Sequence, residues 1–457
     1  MKMIVCGAGQ VGYQIARSLS DEGNAVTVID VNPALVRQVT DSLDVTGVMG
    51  FASHPDVLNR AGAEDCDMLI AATSMDEVNM VACQVAHSVF EVPVKIARVR
   101  TDSYLGAEWS DLFRRDHMPI DVVISPEAEV AKVTMRRLAA TAAFDIEPFL
   151  DGQVAFMGLH IDEDCPAVNT PLRQLTELFS TLRCIVVAVQ RGGRMFVTKA
   201  DDQVLPGDDV YLVTHQDDIQ RTFGIFGREN LIAERIVIVG GGNIGLRVAR
   251  MIESRSNLRA KIIERDRARA ELAADNLDRT IVLNGDALDA EVLDEAGIAD
   301  ADAIVALTDD DRVNLLATAL AQEAGCPIGI ALAKDSVFER VSETLGVNAL
   351  INPRATTVSS ILRHVRRGKI RAVYSVGGGE AEVLQAQVMA TSPIAGKRLR
   401  DIAFPTGSIV GAVLSNDEVV QPRGETIIHV GDQLVVFALR ETVGKVEQLF
   451  RVSMEYF

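Results

Sequence analysis

The chain has 457 residues, a formal net charge of −19, 48% hydrophobic residues and only 5% aromatic ones. That length predicts several domains, and the apolar, aromatic-poor composition suits α/β units with buried Val, Ile and Ala strands. The negative field disfavours nucleic acid and anionic lipid as direct partners, and no apolar run approaches the roughly 18 residues of a membrane span.

A strand that starts at the N-terminus leaves no room for a signal peptide, so a cytoplasmic chain is expected. The six cysteines and seven histidines are scattered, with no CxxC or HxxxH. They predict free buried thiols in a reducing compartment and no metal.

In chain order, the apolar run Met3–Cys6 leads into Gly7-x-Gly9-x-x-Gly12, then a helical periodicity (Val11, Ile15, Ala16, Leu19), then a second run ending on Asp30. Gly7 permits a tight turn, Gly9 lets a pyrophosphate approach the backbone, and Gly12 lets the helix pack on the strand. The helix N-terminus supplies N–H groups and partial positive charge to phosphates. Asp30, 18 residues after Gly12, is placed to accept hydrogen bonds from ribose hydroxyls. Further strands are expected at Ala25–Ile29, Val45–Met49, Met68–Ala72, Val94–Arg98 and Val122–Ile124, with a Pro-led helix from Pro126.

The whole device returns with Gly240, Gly242, Gly245 and Glu264, 233 residues after the first copy. Ala61-Gly62, Thr73 and Asn79 recur as Ala296-Gly297, Thr308 and Asn314. The second set of strands is expected at Ile236–Val239, Ala260–Ile263, Thr280–Leu283, Ala303–Ala306, Ile328–Leu332 and Ala349–Ile351, with a helix from Pro353. Alternation of strand and helix predicts a parallel, doubly wound sheet in each copy. Each copy is followed by a smaller α+β segment. The first has strands at Phe156–Ile161, Ile185–Gln190, Met195–Thr198 and Val210–Thr214. The second has them at Val383–Val388, Ile409–Ser415, Val419–Pro422 and Gln433–Ala438. Short helices are expected at Pro171–Leu178 and Pro393–Ile402, and Arg228–Glu234 reads as the joint between halves.

In their order and duplication, Gly7–Gly12, Ser53-His-Pro55, Thr73-Ser74, Asn79–Cys83 and Val239–Gly245 resemble the tandem RCK (regulator of potassium conductance) family, the nucleotide-binding regulatory subunits of bacterial Trk-type potassium uptake systems. The resemblance implies four domains: 1–142 and 233–369 as Rossmann-like units, 143–227 and 370–457 as their C-terminal companions. It implies a non-enzymatic chain that binds NAD(H) and ATP/ADP, forms a homotetramer, and gates a membrane potassium-translocating subunit of the TrkH/TrkG kind from its cytoplasmic side. It assigns Gly7, Ala8, Gly9, Gln10, Val11, Gly12, Asp30, Thr73, Ser74 and Arg98 to a first pocket. Gly240, Gly241, Gly242, Asn243, Ile244, Gly245, Glu264, Thr308 and Asp309 are assigned to a second.

Acids at Asp30 and Glu264 favour a free ribose 2′-hydroxyl over a 2′-phosphate, and therefore NAD(H) or ATP/ADP over NADP. Arg98 aligns with Leu332, so the first pocket is expected to handle the more highly charged ligand better. Phe51 stands where the second copy has Asp286. An NAD-dependent oxidoreductase shares the fingerprint, but neither small segment offers a His, Lys or Tyr constellation for hydride transfer. Regulation of a different ion transporter is the other reading. Arg363–Lys369 reads as a solvated helix end, with a subunit contact as the sharper alternative, and Arg136-Arg137 as its counterpart. Asp162-Glu-Asp164 reads as a surface turn, and Ser53 as a helix cap.

Overall fold

The computed structural model describes residues 1–228, 233–335, 337–365 and 370–450. In chain order it begins with six parallel strands: β1 (Lys2–Cys6), β2 (Ala25–Asp30), β3 (Thr46–Met49), β4 (Met68–Ala71), β5 (Val94–Arg98) and β6 (Val122–Ile124). They lie in the order β3-β2-β1-β4-β5-β6. Met3, Ile4, Val5 and Cys6 are all buried, as expected for a central strand covered by helices on both faces.

A five-stranded antiparallel sheet follows: β7 (Asp145–Phe149), β8 (Val154–His160), β9 (Cys184–Arg191), β10 (Arg194–Val197) and β11 (Asp209–His215), in the order β10-β9-β11-β8-β7. The second half repeats both sheets. Its parallel sheet contains β12 (Arg235–Val239), β13 (Arg259–Glu264), β14 (Ile281–Asn284), β15 (Ala303–Ala306), β16 (Ile328–Leu332) and β17 (Ala349–Ile351), ordered β14-β13-β12-β15-β16-β17. Its antiparallel sheet contains β18 (Ile370–Val376), β19 (Ala381–Gln387), β20 (Ser408–Ser415), β21 (Glu418–Val420) and β22 (Gln433–Leu439), ordered β18-β19-β22-β20-β21.

The expected parallel strands are all present, within two residues at either end. The edge strands β7 and β18 were not expected. Pro148 and alternating acids disguise β7, which pairs only with β8. The helix expected at Pro393–Ile402 is only a short 3₁₀ turn, Leu399–Asp401, because Gly396 takes the left-handed φ of 77° and interrupts the run.

The halves do not fold side by side. They exchange helices. Ser125 Oγ accepts from Ala128 N–H at the start of helix Pro126–Ala139, with Pro126 in the first turn. That helix puts Val130, Ala131, Met135 and Leu138 among Ile236, Ile238, Val248 and Ile252 of the second half. Reciprocally, helix Pro353–Val365 sends Val358, Ile361 and Val365 into the first core beside Val5, Ile15 and Leu19. The two antiparallel sheets share a core in which Phe156 stacks on Tyr211 at 5.7 Å and on Phe437 at 6.4 Å.

Arg363 is not a solvated helix end. It pairs with Glu129 at 3.0 Å and Glu147 at 2.9 Å, both in the first half. Arg136 reaches Glu147 at 2.9 Å, and Arg137 reaches Asp145 at 3.0 Å. The rest of the basic run, 366–369, and the expected joint at 229–232 lie outside the described residues.

Candidate nucleotide-binding sites

The local sequence forces the loop between β1 and the helix Gln10–Asp21. Gly7 sits at φ 104° and Gly240 at φ 102°, a region L side chains rarely adopt. A Cβ on Gly12 would lie 1.8 Å from the Gly7 carbonyl oxygen, and one on Gly245 would lie 1.9 Å from that of Gly240. The third glycine is therefore required by helix–loop contact. Gly9 and Gly242, each the residue before its helix, face open space, with nothing within 4 Å of a Cβ position. A phosphate has room there, against the first-turn N–H groups.

The acids shape the same loops. Asp30 Oδ2 accepts from Ala8 N–H at 2.7 Å and Oδ1 from Asn32 N–H at 2.8 Å. Glu264 repeats this with Gly241 N–H at 2.7 Å and Asp266 N–H at 2.8 Å. Each carboxylate is thus held by two backbone N–H groups at the end of its strand, beside the glycine loop. Its remaining lone pairs can accept from ribose hydroxyls. A nicotinamide or adenine nucleotide fits this donor set: backbone N–H groups for phosphate, a carboxylate for ribose.

Thr73-Ser74 and Thr308-Asp309 follow β4 and β15, at the carboxyl edge where doubly wound sheets bind ligands. An asparagine fixes each loop. Asn79, fully buried, accepts from Thr73 N–H at 2.9 Å and Thr73 Oγ1–H at 2.7 Å; its amide donates to Thr73 O and, at 2.8 Å, to Arg98 O. Asn314 makes the same four bonds to Thr308 and Leu332. Neither asparagine figured among the expected site residues, although their recurrence in both copies was the visible signal.

Arg98 lies at the end of β5 with Nη1 donating to Thr73 O at 3.3 Å, while its buried Nε has no partner. Burial, then the neighbouring Arg100, lowers its pKa from the usual arginine value. An anion beside it would relieve both. At the second site Leu332 is buried and supplies no charge, as the alignment implied, while Lys334 Nζ donates to the Asp309 carbonyl. Lys334 stands two residues beyond Leu332, at the position aligned with Arg100 of the first copy.

Ser53 is not the helix cap expected of it. The helix Pro55–Arg60 starts at His54, with no side-chain cap from Ser53. Asp162 pairs with Arg228 at 2.8 Å. Among the described residues no His, Cys, Asp or Glu group is arranged to hold a metal, and no helix is long and apolar enough to cross a membrane. All six cysteines are free, and burial pushes the Cys66 and Cys326 thiols up to about 11.

Residues 3–126 and 236–353 match the TrkA-N domain, and residues 156–227 and 383–451 match the TrkA-C domain. The chain belongs to the TrkA family. The Trk system potassium uptake protein TrkA of Azorhizobium caulinodans is 49% identical over the full length of both chains. Those of Halomonas elongata and Vibrio alginolyticus are 36% and 35% identical over essentially their whole lengths. All three relatives are named as potassium uptake proteins of Trk systems. Among solved structures, the GsuK RCK domain superposes with a TM-score of 0.58 at 18% identity, covering 98% of this chain and 94% of that one. The GsuK channel bound to NAD gives 0.59 at 18% identity, covering 98% and 78%. These two share the fold.

Proposed function

We propose that the chain is a nucleotide-responsive regulator of potassium uptake, with both Rossmann-like pockets taking NAD(H) or ATP/ADP. The observation that carries this is the twin cradle: an open glycine position at a helix N-terminus, a carboxylate beside it, and a cation (Arg98 or Lys334) at the next strand end. Site residues are Gly7–Gly12, Asp30, Thr73, Ser74 and Arg98 in the first pocket. In the second they are Gly240–Gly245, Glu264, Thr308 and Asp309. The carboxylates select against a 2′-phosphate.

The exchanged helices suit the chain to transmission, because any shift in one Rossmann unit moves a helix embedded in the other. In this reading the four domains are 1–142, 143–227, 233–369 and 370–457. The chain is a homotetramer held at the cytoplasmic face of the membrane by a potassium-translocating subunit of the TrkH/TrkG kind, whose opening it adjusts.

The test is titration of the purified chain with NADH, NADPH, ATP and ADP, followed by capture of detergent-solubilised membrane proteins with and without each ligand. NADH and ATP are expected to compete, NADPH to bind at least about tenfold more weakly than NADH, and a potassium-pore subunit to be captured. Absence of nucleotide binding, or capture of no such subunit under any condition, overturns the reading.

A further inference from the structure

Outside the shared fingerprint, the rims of the two pockets are chemically opposite. In the first unit Val31 follows β2, Phe51 follows β3 and Met75 follows β4, and their exposures are 52%, 51% and 54%. Val31 and Phe51 follow adjacent strands and Met75 a strand on the other side of β1, and large apolar side chains grouped on one sheet edge mark a binding surface more often than scattered ones do. These stand on the edge that also carries the Gly7–Gly12 loop and Asp30. His54 tilts against the Phe51 ring, with centroids 5.2 Å apart. The aligned residues of the second unit are Arg265, Asp286 and Asp310.

Of those three, Asp286 is placed to read a ligand. Its Oδ1 accepts from Leu288 N–H at 3.0 Å, which fixes the carboxylate in its own turn. The described residues give Oδ2 no partner. Asp310, by contrast, is engaged with its own helix: Oδ1 accepts from Arg312 N–H and Oδ2 from the Arg312 guanidinium, each at 2.9 Å.

We propose that the two pockets read the nucleotide base by different chemistry. The first takes it by apolar and aromatic contact on Val31 and Phe51, with no demand on its hydrogen-bonding edge. The second reads the 6-amino group of adenine with Asp286. This rests on the nucleotide reading above. The sheet order supports it: phosphates lie over the loop after β1, the acid that holds ribose ends β2, and the base attached to that ribose extends toward the ends of β2 and β3. A ring face gives the same stacking surface to every purine. A carboxylate accepts from a 6-amino group but opposes a 6-oxo oxygen, acceptor against acceptor.

The full-length chain can be reduced to one pocket at a time. Gly242→Asp blocks the second pocket and Gly9→Asp the first, since each has room for a side chain and each puts a carboxylate where phosphate would sit. Calorimetric titration with ATP and with inosine triphosphate then reads each base preference. In the Gly242→Asp chain the two affinities are expected to agree within about threefold. In the Gly9→Asp chain inosine triphosphate is expected to bind at least about tenfold more weakly than ATP, and adding Asp286→Ala should close most of that gap.

A tenfold preference in the Gly242→Asp chain overturns the proposal. So does equal affinity in the Gly9→Asp chain, loss of its ATP binding, or a preference that survives Asp286→Ala. If the unmodified chain binds neither ATP nor NADH, the nucleotide reading itself fails. If it binds both and only the single-pocket ratios disagree, the base rule alone fails.

Discussion

Asn79 shows how a single buried side chain can organise the loop at the end of a strand. Its four hydrogen bonds tie the Thr73 loop after β4 to the Arg98 carbonyl at the end of β5. Asn79→Ala leaves the Thr73 N–H and two carbonyls without their buried partner, at a cost of about 2–3 kcal/mol. Urea denaturation should show that loss, with ATP affinity falling as well because Arg98 is no longer held. An unchanged midpoint would show that the loop is fixed by other contacts. The glycine spacing could be read from the residues directly, because a missing Cβ has one local meaning here: a Cβ on Gly12 would collide with the Gly7 oxygen five residues back. The role of Asn79 could not be read that way, since its partners belong to strands that meet only in the sheet. Lys334 was hidden for the same reason. Alignment pointed to Leu332, and the charge reaches the second loop from a neighbouring position.

At the scale of elements, the exchanged helices Pro126–Ala139 and Pro353–Val365 meet at a charged seam. Glu147 is almost fully buried between Arg136 and Arg363. Burial raises its pKa above the ordinary glutamate value, and the two arginines oppose that rise. Arg363→Ala removes one opposing cation and should cost about 3 kcal/mol near neutral pH, the low end for a buried pair because Arg363 is partly exposed. The pH dependence has a definite sign. A carboxyl whose folded pKa lies above its unfolded one contributes most when protonated, and that contribution is lost as pH rises through the folded value. The Arg363→Ala chain should therefore lose stability relative to wild type as pH is raised from the ordinary carboxylate range. Adding Glu147→Gln should flatten the difference. Thermal denaturation of the three chains across pH 4 to 8 checks both points, and a pH-independent deficit would remove Glu147 from the account. The helices themselves were legible from Pro126, Pro353 and their apolar spacing. What their basic ends pair with was not: Arg363 pairs with acids in the other half of the chain, and Arg136 and Arg137 pair with acids on β7, a strand the spacing did not reveal.

For the molecule as a whole, the decisive fact is that its cores are shared. Apolar faces of both exchanged helices are buried in the opposite half, and the Phe156, Tyr211 and Phe437 rings pack across the two antiparallel sheets. Cutting the chain at the joint exposes all of these faces at once. Fragments 1–228 and 233–457 expressed separately are expected to be insoluble or to self-associate through those faces. Expressed together they should co-purify as one complex. A soluble, monomeric first fragment with normal thermal stability would show that the halves are independent. The same sharing packs the helix that follows the first glycine loop, through Ile15 and Leu19, against Val358, Ile361 and Val365 of the second half.

The residues alone determined the local and repeated features. These were the two glycine fingerprints, the acids after them and the strand–helix alternation, each carried by spacing within about thirty residues and by local backbone sterics, together with the recurrence of the whole pattern 233 residues on. The tertiary structure decided which half each helix serves, where Arg363 and Lys334 place their charge, and that Val31 and Phe51 form one rim with Asp30. Those outcomes depend on contacts between residues far apart in the chain, where packing and charge pairing select the partner and periodicity is silent. The glycine loops could thus be named from the sequence. The difference between their two rims required the sheet.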